Sequence, residues 1–415
     1  MFSPTPRFAP LPGYASPGPG SVTLPAGYRA AGVHAGIKRS RRDLGILVSD
    51  VAVVSAVFFT SNSAAAAPVL VTRDTCDCTA LQAVVVNSGI ANACTGRQGH
   101  VDALRMRALA AAELGLPLEK VAVSSTGVMG DPLPMDIIEK GIHRVAGKLA
   151  ADGGEHFAAA IRTTDRTEKR VGLTVETSGG EIHIGFASKG AGMVSPNMAT
   201  TLSFVTTDAA VPAVAWHEMM AHALAESFNR ITVDGQESTN DMVLGFANGA
   251  SGVPLDDDGL ERVHEALCAG LLAMALGVVA DGEGATKTVR LRVSGAHDSR
   301  EAERVARAIA NSPLVKAAVF GHDANWGRIV QAAGMWLSHD DPRPLACDVA
   351  YDDLELVHGG DPLPLDVAAT ERLERVMTAP ELDLQVELRR GSAATLVYFS
   401  DLTYDYVRLN AGRRT

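Results

Sequence analysis

Strand-like and helix-like segments follow one another in mixed order along this chain of 415 residues. Residues 171–177 and 181–187 alternate apolar and polar side chains around a Ser-Gly-Gly turn, which predicts a β-hairpin. Residues 382–388 and 394–399 predict a second hairpin, with its turn at 390–392. Helical spacing of apolar residues is found at 101–114, 135–149, 211–227, 256–277, 299–310 and 366–377. This mixture predicts an α/β, or α+β, layered fold.

The charge of the chain argues against nucleic acid as a partner. The net charge is −11, and no block holds five or more like charges. The basic cluster Lys38-Arg39-Ser40-Arg41-Arg42 is short and is followed by Asp43, so we interpret it as a solvated turn. Because nucleic-acid binding needs a basic surface that releases counterions from phosphates, a small polar substrate is the better expectation.

The cysteines and the N-terminal region favour a cytoplasmic protein. The five cysteines are odd in number and scattered, so they do not form a disulfide framework. Cys76 and Cys78 are separated by one residue, which is not the spacing of a zinc knuckle. Residues 1–26 hold seven prolines and are expected to form a flexible arm, without the apolar core of a signal peptide. No run approaches the ~18 uninterrupted apolar residues of a membrane span, so no membrane association is expected.

The stretch KGAGMVSPNMATTLSFVTTD at 189–208 carries the most specific chemistry. Its glycines and Pro196-Asn197 favour neither strand nor helix, and a strand-like run begins at Thr200. A chain break before Thr200 would give its hydroxyl a base on the same residue, an α-amine with a pKa of ~7.7–8.0. Ala199 on the acyl side is small and leaves room for the hydroxyl to attack its carbonyl. An isolated threonine is nearly always structural, so the other motifs of the chain must show whether Thr200 is a nucleophile.

Nine motifs closely resemble the ornithine acetyltransferase family, also called glutamate N-acetyltransferases. The stretch at 189–208 resembles the processing site of that family. The other eight are TSNSAAAAPV (60–69), NSGIANACTG (87–96), SSTGVMG (124–130), TTD (163–165), RITVDGQESTND (230–241), DGEGATK (281–287), SPLVKAAVFGHDANWGRI (312–329) and DLTYDYVRLNAG (401–412). Because these matches run in order from residue 60 to 412, the chain is identified as a member of this family.

The resemblance implies a precursor that cuts itself between Ala199 and Thr200. Residues 27–199 would form an α chain and residues 200–415 a β chain, and the two would assemble as a heterotetramer. The implied fold is an α/β layered one with two domains, sheets packed between helices and the active site at the domain junction. The implied reaction is a ping-pong transfer of acetyl from N-acetylornithine to glutamate through acetyl-Thr200, without a cofactor. Acetyl-CoA is left open as a second donor.

The same resemblance implies roles for individual side chains. Thr126 and Gly127, interpreted as part of a turn after a strand at 121–123, would form the oxyanion hole, because a hydroxyl and an adjacent amide can point at one oxyanion. Glu283 would hold a substrate ammonium, and Lys189 would hold a carboxylate. The implied substrate-binding residues are Thr163, Lys189, Thr200, Glu283, Asn410 and Thr415. Thr415 would place the C-terminus in the active site.

Two motifs that resemble metal or phosphate sites are rejected on their spacing. His217 and His222 stand five residues apart rather than four, which turns the second ring off the face of the first, so no metal is expected. The segment at 281–287 lacks the Gly-Lys-Ser/Thr ending of a phosphate loop, and its acidic residues would repel phosphate.

Three departures from the family pattern leave the substrate open: Ile90, Gln236-Glu237 and Phe399-Ser400. A paralogue that acts on a related amino acid in specialised metabolism is one alternative. A second is an N-terminal-nucleophile amidase or aminopeptidase, in which water accepts the acyl group. A non-enzymatic ligand-binding protein is the third, and it predicts an intact chain that forms no acyl-enzyme.

Overall fold

The structure is a computed structural model that describes residues 7–18, 20–195, 201–337 and 344–412. The chain divides into two compact units. The first unit runs to Asn229 and also includes Glu237–Val278. The second unit comprises Arg230–Gln236 and Val279–Gly412.

The described residues contain strands throughout the chain, and we number them in order. The strands are β1 (Ala15–Gly18), β2 (Tyr28–Val33), β3 (Leu44–Ser49), β4 (Val54–Phe59), β5 (Ala83–Ile90), β6 (Val121–Val128), β7 (Lys169–Thr177), β8 (Gly180–Lys189), β9 (Leu202–Thr207), β10 (Ile231–Thr232), β11 (Met242–Ala247), β12 (Thr288–Ala296), β13 (Asp348–Tyr351), β14 (Leu354–His358), β15 (Asp361–Pro362), β16 (Glu381–Glu387) and β17 (Ala393–Ser400).

Helices alternate with these strands, which confirms the predicted mixed α/β class. The helices are α1 (Ala67–Thr75), α2 (Gly96–Leu114), α3 (Met135–Ala146), α4 (Gly154–Ile161), α5 (Ala213–Ala225), α6 (Asp257–Ala280), α7 (Ser299–Ala310), α8 (Pro313–Phe320), α9 (Trp326–Leu337), α10 (Val367–Thr378) and α11 (Tyr404–Asn410). The predicted helix at 299–310 coincides with α7, and the other predicted helices overlap α2, α3, α5, α6 and α10.

A four-stranded sheet in the first unit has the order β2-β3-β5-β6, with β5 and β6 parallel. Val84 and Val86 of β5 lie in a core that also contains side chains of the second sheet of this unit. Val85 lies in another core together with Met106 of α2 and Ile138 of α3. Successive side chains of a strand point to opposite faces, so the continuous valine run of β5 must be buried on both sides. The two cores bury it on both faces of the sheet.

The second sheet of the first unit has six strands in the order β1-β7-β8-β9-β11-β4. All neighbours are antiparallel except β9 and β11. Phe204 of β9 packs edge-to-face on Phe157 of α4, with 5.0 Å between the ring centroids. The predicted hairpin at 171–187 is confirmed as β7 and β8, which are joined at Thr177 and Gly180.

Part of the predicted flexible arm belongs to this sheet. β1 pairs antiparallel with β7, so that Ala15 lies opposite Val175. Phe8 and Val22, which flank β1 in sequence, are buried. The expectation of a free arm was therefore wrong for these residues, since the outer edge of β7 offers backbone groups that β1 satisfies.

The second unit is built on a seven-stranded sheet in the order β10-β17-β12-β16-β13-β14-β15. Its core includes Leu291 of β12, Val305 of α7 and Ile329 of α9. The predicted hairpin of β16 with β17 was wrong, because β12 lies between them, parallel to β16 and antiparallel to β17. The connecting turn bonds to the end of β12 instead: the N–H of Arg390 donates to the carbonyl of Gly295 at 2.7 Å.

α6 is long and apolar enough to pass for a membrane span by length and composition alone. However, 67% of its most apolar window is buried inside the protein, which is typical of a core helix. Gly270 in its middle shows the closeness of this packing, because a Cβ atom there would lie 2.3 Å from the ring of Phe186.

Candidate active site

The parallel strands β5 and β6 end side by side in short polar runs. Ser88 and Gly89 of β5 lie opposite Thr126 and Gly127 of β6. Gly127 has a φ of 133°, and a Cβ atom there would lie 2.3 Å from the carbonyl carbon of Gly89. Only glycine can therefore occupy this position. The predicted turn at 124–127 was wrong: these residues continue the strand, and the pairing of β5 with β6 shifts register beside Gly127, between Gly89 and Ile90.

Thr126 is buried near the end of β6 and receives a hydrogen bond from Lys189, the last residue of β8. The Lys189 Nζ donates to Thr126 Oγ1 at 3.1 Å. Because an ammonium can only donate, the hydroxyl oxygen is the acceptor, and its own hydrogen can still be offered to another acceptor. A charged donor on the oxygen also polarises the O–H bond. The structure thus brings together two of the predicted site residues.

Asn240 fixes the strand that carries Thr126. Its buried side-chain amide donates to the carbonyl of Ala91 at 2.6 Å and to the carbonyl of Ser125 at 2.9 Å. Its oxygen accepts a hydrogen bond from the Thr239 hydroxyl at 2.7 Å. Asn240 therefore ties β6 to the segment that follows β5, a positioning role that no sequence motif had assigned to it.

Asp165 is a fully buried carboxylate that links two of the predicted substrate-binding segments. It accepts hydrogen bonds from the N–H of Thr163 at 2.9 Å and from the N–H of Gly190 at 2.8 Å. Lys169 adds an ion pair at 2.7 Å. Burial alone would raise the pKa of Asp165, but the charges of Lys169 and Lys189 hold it well below its usual range. A permanent negative charge therefore supports the ammonium of Lys189.

A second buried carboxyl, Asp241, has the opposite character. Its Oδ2 is buried and has no hydrogen-bond partner among the described residues. Burial raises the pKa of Asp241 well above its usual value, and hydrogen bonds from Ser238 and the charge of Lys189 counter this only in part. Asp241 therefore keeps its proton to a higher pH than an exposed aspartate. No signal in the sequence separates it from a surface aspartate, so sequence reasoning missed it.

The predicted nucleophile Thr200 and the cleavage residue Ala199 lie outside the described residues. The residue that follows them in sequence, Thr201, is buried. Leu202, one position further, pairs with Lys189 across β8 and β9. The chain after the predicted cleavage point is thus held in the same sheet as the lysine that contacts Thr126.

In the second unit, the structure brings Glu283 and Asn410 together. The Asn410 amide donates to Glu283 Oε2 at 2.8 Å and to the carbonyl of Tyr406 at 3.0 Å, so both amide hydrogens have acceptors. Asn410 is the last residue of α11, and Glu283 lies in the loop before β12. Thr415 lies outside the described residues, so its predicted contact with substrate stays a prediction.

The loop that carries Glu283 is held closely against α11. Gly284 has a φ of 73°, and a Cβ atom there would lie 2.5 Å from the backbone nitrogen of Tyr406. Thr403, which caps α11, donates its hydroxyl to the carbonyl of Gly284 at 2.8 Å. Burial and the charges of Asp234 and Glu283 raise the pKa of Tyr406 to about 12, so its phenol stays neutral.

Possible metal ligands cluster elsewhere in the described residues. Two groups of three side chains each converge: His222 with His264 and Cys268, and Asp348 with Glu355 and His358. No residue of the predicted active site belongs to either group.

Comparisons with known proteins agree along nearly the whole chain. Residues 29–415 match the model of the ArgJ family. The chain belongs to the ArgJ family. The arginine biosynthesis bifunctional protein ArgJ of Symbiobacterium thermophilum is 46% identical over 402 residues, which cover 95% of this chain and 99% of that protein. The protein of the same name from Geobacillus kaustophilus is 42% identical over 402 residues, which cover 95% and 96%.

One solved structure of a relative is the ornithine acetyltransferase of Mycobacterium tuberculosis complexed with ornithine. It is 39% identical to this ArgJ family member, with a TM-score of 0.41, and the alignment covers 45% of this chain and 100% of that chain. The family that the nine motifs predicted is confirmed by the matches along nearly the whole chain. The roles of the individual site residues stay predictions.

Proposed function

We propose that this ArgJ family member cuts itself between Ala199 and Thr200 and then moves an acetyl group from N-acetylornithine to glutamate. Its enzyme class is that of the family, a glutamate N-acetyltransferase, as the motifs predicted. The observation that carries the proposal is the hydrogen bond from Lys189 to Thr126, next to Gly127 in β6. It supplies a positioned hydroxyl and a positive charge, which is what a developing oxyanion requires.

The first half-reaction forms an ester on Thr200. The α-amine of Thr200 takes the proton of its own hydroxyl, and Oγ attacks the acetyl carbonyl of N-acetylornithine. The carbonyl oxygen becomes an oxyanion, which accepts hydrogen bonds from the Thr126 hydroxyl and the Gly127 N–H. The amide C–N bond then breaks, the amine passes its proton to the leaving nitrogen, and ornithine departs.

The second half-reaction regenerates the nucleophile. The amine of glutamate attacks the acetyl ester, and the same donors stabilise the second oxyanion. The bond between the acetyl carbon and Thr200 Oγ breaks, the proton from the glutamate amine moves to Oγ, and N-acetylglutamate leaves. Because both half-reactions pass through one ester, the kinetics are ping-pong.

Charged side chains support recognition of an amino-acid substrate. We assign the substrate carboxylate to Lys189, whose ammonium lies in the field of Asp165, and to Thr163, whose N–H donates to Asp165. The substrate ammonium is assigned to Glu283, whose carboxylate is oriented by the Asn410 amide. Each assignment rests on opposite charge: a carboxylate of the protein suits an ammonium, and an ammonium of the protein suits a carboxylate.

Three further parts of the proposal concern the second donor, the assembly and the compartment. The relatives named above are called bifunctional, which favours acetyl-CoA as a second donor of the acetyl group. The two chains produced by cleavage are proposed to form a heterotetramer in the cytoplasm. Neither a metal nor an organic cofactor has a part in the proposed steps.

The test is a transfer assay on purified protein. Glutamate is supplied with either N-acetylornithine or acetyl-CoA, and N-acetylglutamate is measured. With N-acetylornithine, ornithine and N-acetylglutamate should appear in equal amounts, and Thr200→Ala should abolish both. If neither N-acetylornithine nor acetyl-CoA gave N-acetylglutamate, the proposal would be overturned.

The same assay separates transfer from hydrolysis by an N-terminal-nucleophile amidase. A transferase should release little acetate when glutamate is left out, whereas an amidase should release acetate at the same rate with and without glutamate. Replacing glutamate by related amino acids then tests for a paralogue with another acceptor, because the best acceptor should have the highest kcat/KM.

A further inference from the structure

Three side chains that the proposed reaction does not use meet between α5 and α6. The Nδ1 of His222 lies 3.0 Å from the Nε2 of His264 and 3.7 Å from the Sγ of Cys268. All three potential ligand atoms lie within 4.8 Å of one another. The side chain of His222 is exposed, while those of His264 and Cys268 are half-buried, so the group can be reached from solvent.

The helices themselves create this arrangement. His264 and Cys268 stand four residues apart on α6, and side chains at this spacing lie on the same face of a helix. His222 comes from the last turn of α5. The other histidine of α5, His217, instead stacks on Phe58 at 5.1 Å between ring centroids. The spacing argument was therefore correct in separating the two histidines of α5, but it could not see the ligands contributed by α6.

The distances fit a tetrahedral transition-metal ion. Zn²⁺ takes nitrogen at ~2.0–2.1 Å and sulfur at ~2.3 Å, so tetrahedral angles place two nitrogens about 3.3 Å apart and nitrogen and sulfur about 3.6 Å apart. The observed separations of 3.0 and 3.7 Å lie within a few tenths of an ångström of these values. Two imidazoles with a thiolate are also a ligand set that zinc and related ions prefer over Mg²⁺ or Ca²⁺.

A carboxylate lies near the far side of the His264 ring. The Oε2 of Glu261 is 3.8 Å from the Nδ1 of His264, while the opposite ring nitrogen, Nε2, faces His222. This distance is too long for a direct hydrogen bond, so Glu261 contributes a nearby negative charge rather than a fixed contact. That charge favours a positive ion bound at His264.

The second group of potential ligands, in the second unit, already holds a cation of the protein itself. The guanidinium of Arg389 lies 2.9 Å from Asp348 and 3.0 Å from the Nε2 of His358. Its positive charge opposes a metal ion at the same ligands. Hence this group offers an internal control, a second triad of potential ligands that should not bind a metal.

We infer that His222, His264 and Cys268 bind one divalent transition-metal ion of the zinc class, which links α5 to α6. Three protein ligands leave one tetrahedral position for water or a carboxylate. This site is separate from the proposed acetyl transfer, which needs no metal, so its test does not depend on that proposal.

The test uses the full-length protein, stripped of metal with a chelator and then titrated with Co²⁺ alone. Binding at one ion per chain should produce a thiolate-to-cobalt charge-transfer band, and added Zn²⁺ should displace the cobalt and remove the band. His222→Ala removes an exposed ligand, and Cys268→Ser removes the sulfur. Each should weaken Zn²⁺ binding by more than ~100-fold, because even loss of a supporting residue outside the ligand set commonly costs ~10–100-fold.

Matched controls are Cys94→Ser, which removes an exposed thiol of the same unit, and His358→Ala, which alters the second triad. Both should keep the cobalt band and the zinc affinity of the wild type. Zn²⁺ should also raise the melting temperature of the wild type and of both controls, but not that of His222→Ala. Absence of the band, or zinc affinity unchanged in His222→Ala and Cys268→Ser, would overturn the inference.

Discussion

Replacing Thr126 with valine should lower kcat by about 100- to 1,000-fold and leave KM for N-acetylornithine nearly unchanged. Valine keeps the branched shape of threonine but removes the hydroxyl, which is the proposed donor to the oxyanion. Loss of one such donor typically costs about 2.7–4 kcal/mol in the transition state. Because the oxyanion does not exist before the attack, the ground-state complex should bind as before.

The same substitution also removes the acceptor of the Lys189 hydrogen bond. A hydrogen bond to a charged group contributes about 1.5–3 kcal/mol to stability, against a typical total of ~5–15 kcal/mol. Thr126 is only 7% exposed, so the isosteric valine avoids an added cavity. The variant should therefore stay folded, which urea denaturation can verify before kinetics are compared.

Steady-state kinetics with both substrates varied will give kcat and KM separately. Thr126→Ser is the matched control, since it keeps a hydroxyl at the same position and should retain most of the turnover. A rise in KM with unchanged kcat would mean that Thr126 only contacts the substrate. Equal losses in the serine and valine variants would also refute the reasoning, because the hydroxyl would then be irrelevant.

Further predictions concern cleavage, pH dependence and the C-terminus. Wild-type protein should run as two fragments on a denaturing gel, one beginning Thr-Thr-Leu-Ser, whereas Thr200→Ala should stay uncut and inactive; an intact, active wild type would contradict cleavage. Since burial raises the pKa of Asp241 in the folded protein, the unfolded chain loses this proton at a lower pH, and the contribution of Asp241 to the unfolding free energy should fall as pH rises from ~4. Between pH 4 and 8, the unfolding free energy from urea titrations should fall less in Asp241→Asn than in the wild type. An equal fall in the two proteins would refute the assignment. Deleting residues 411–415 should leave cleavage intact but sharply raise KM for N-acetylornithine; an unchanged KM would mean that the tail does not bind substrate.

Local patterns predicted those elements whose partners are close in sequence. The β7–β8 hairpin could be predicted because alternation and a Ser-Gly-Gly turn act within twenty residues. The same pattern failed for β16 and β17, since alternation identifies a strand without naming its partner, and β12, about ninety residues earlier, takes the place between them. Gly127 was interpreted as a turn for a similar reason, because its φ of 133° is imposed by contact with β5 and not by its neighbours in sequence.

Site chemistry followed the same division. Thr126, Lys189, Glu283 and Asn410 lie in motifs with enough residues to resemble a family, so they could be named from the sequence. Asp241 could not, since its raised pKa comes from burial, which exists only in the folded chain. The contact of His222 with Cys268 is likewise a product of helix packing and leaves no trace in the spacing of either helix.

The strand order of the six-stranded sheet determines how the two chains of a cut protein would have to be handled. A cut before Thr200 assigns β1, β4, β7 and β8 to one polypeptide and β9 and β11 to the other. These last two lie in the interior of the sheet, with β8 hydrogen-bonded along one side and β4 along the other. The product would be a split protein in which each half completes the other's sheet. Dilution or native gel filtration should not separate the halves, and reconstitution should require that both fold together.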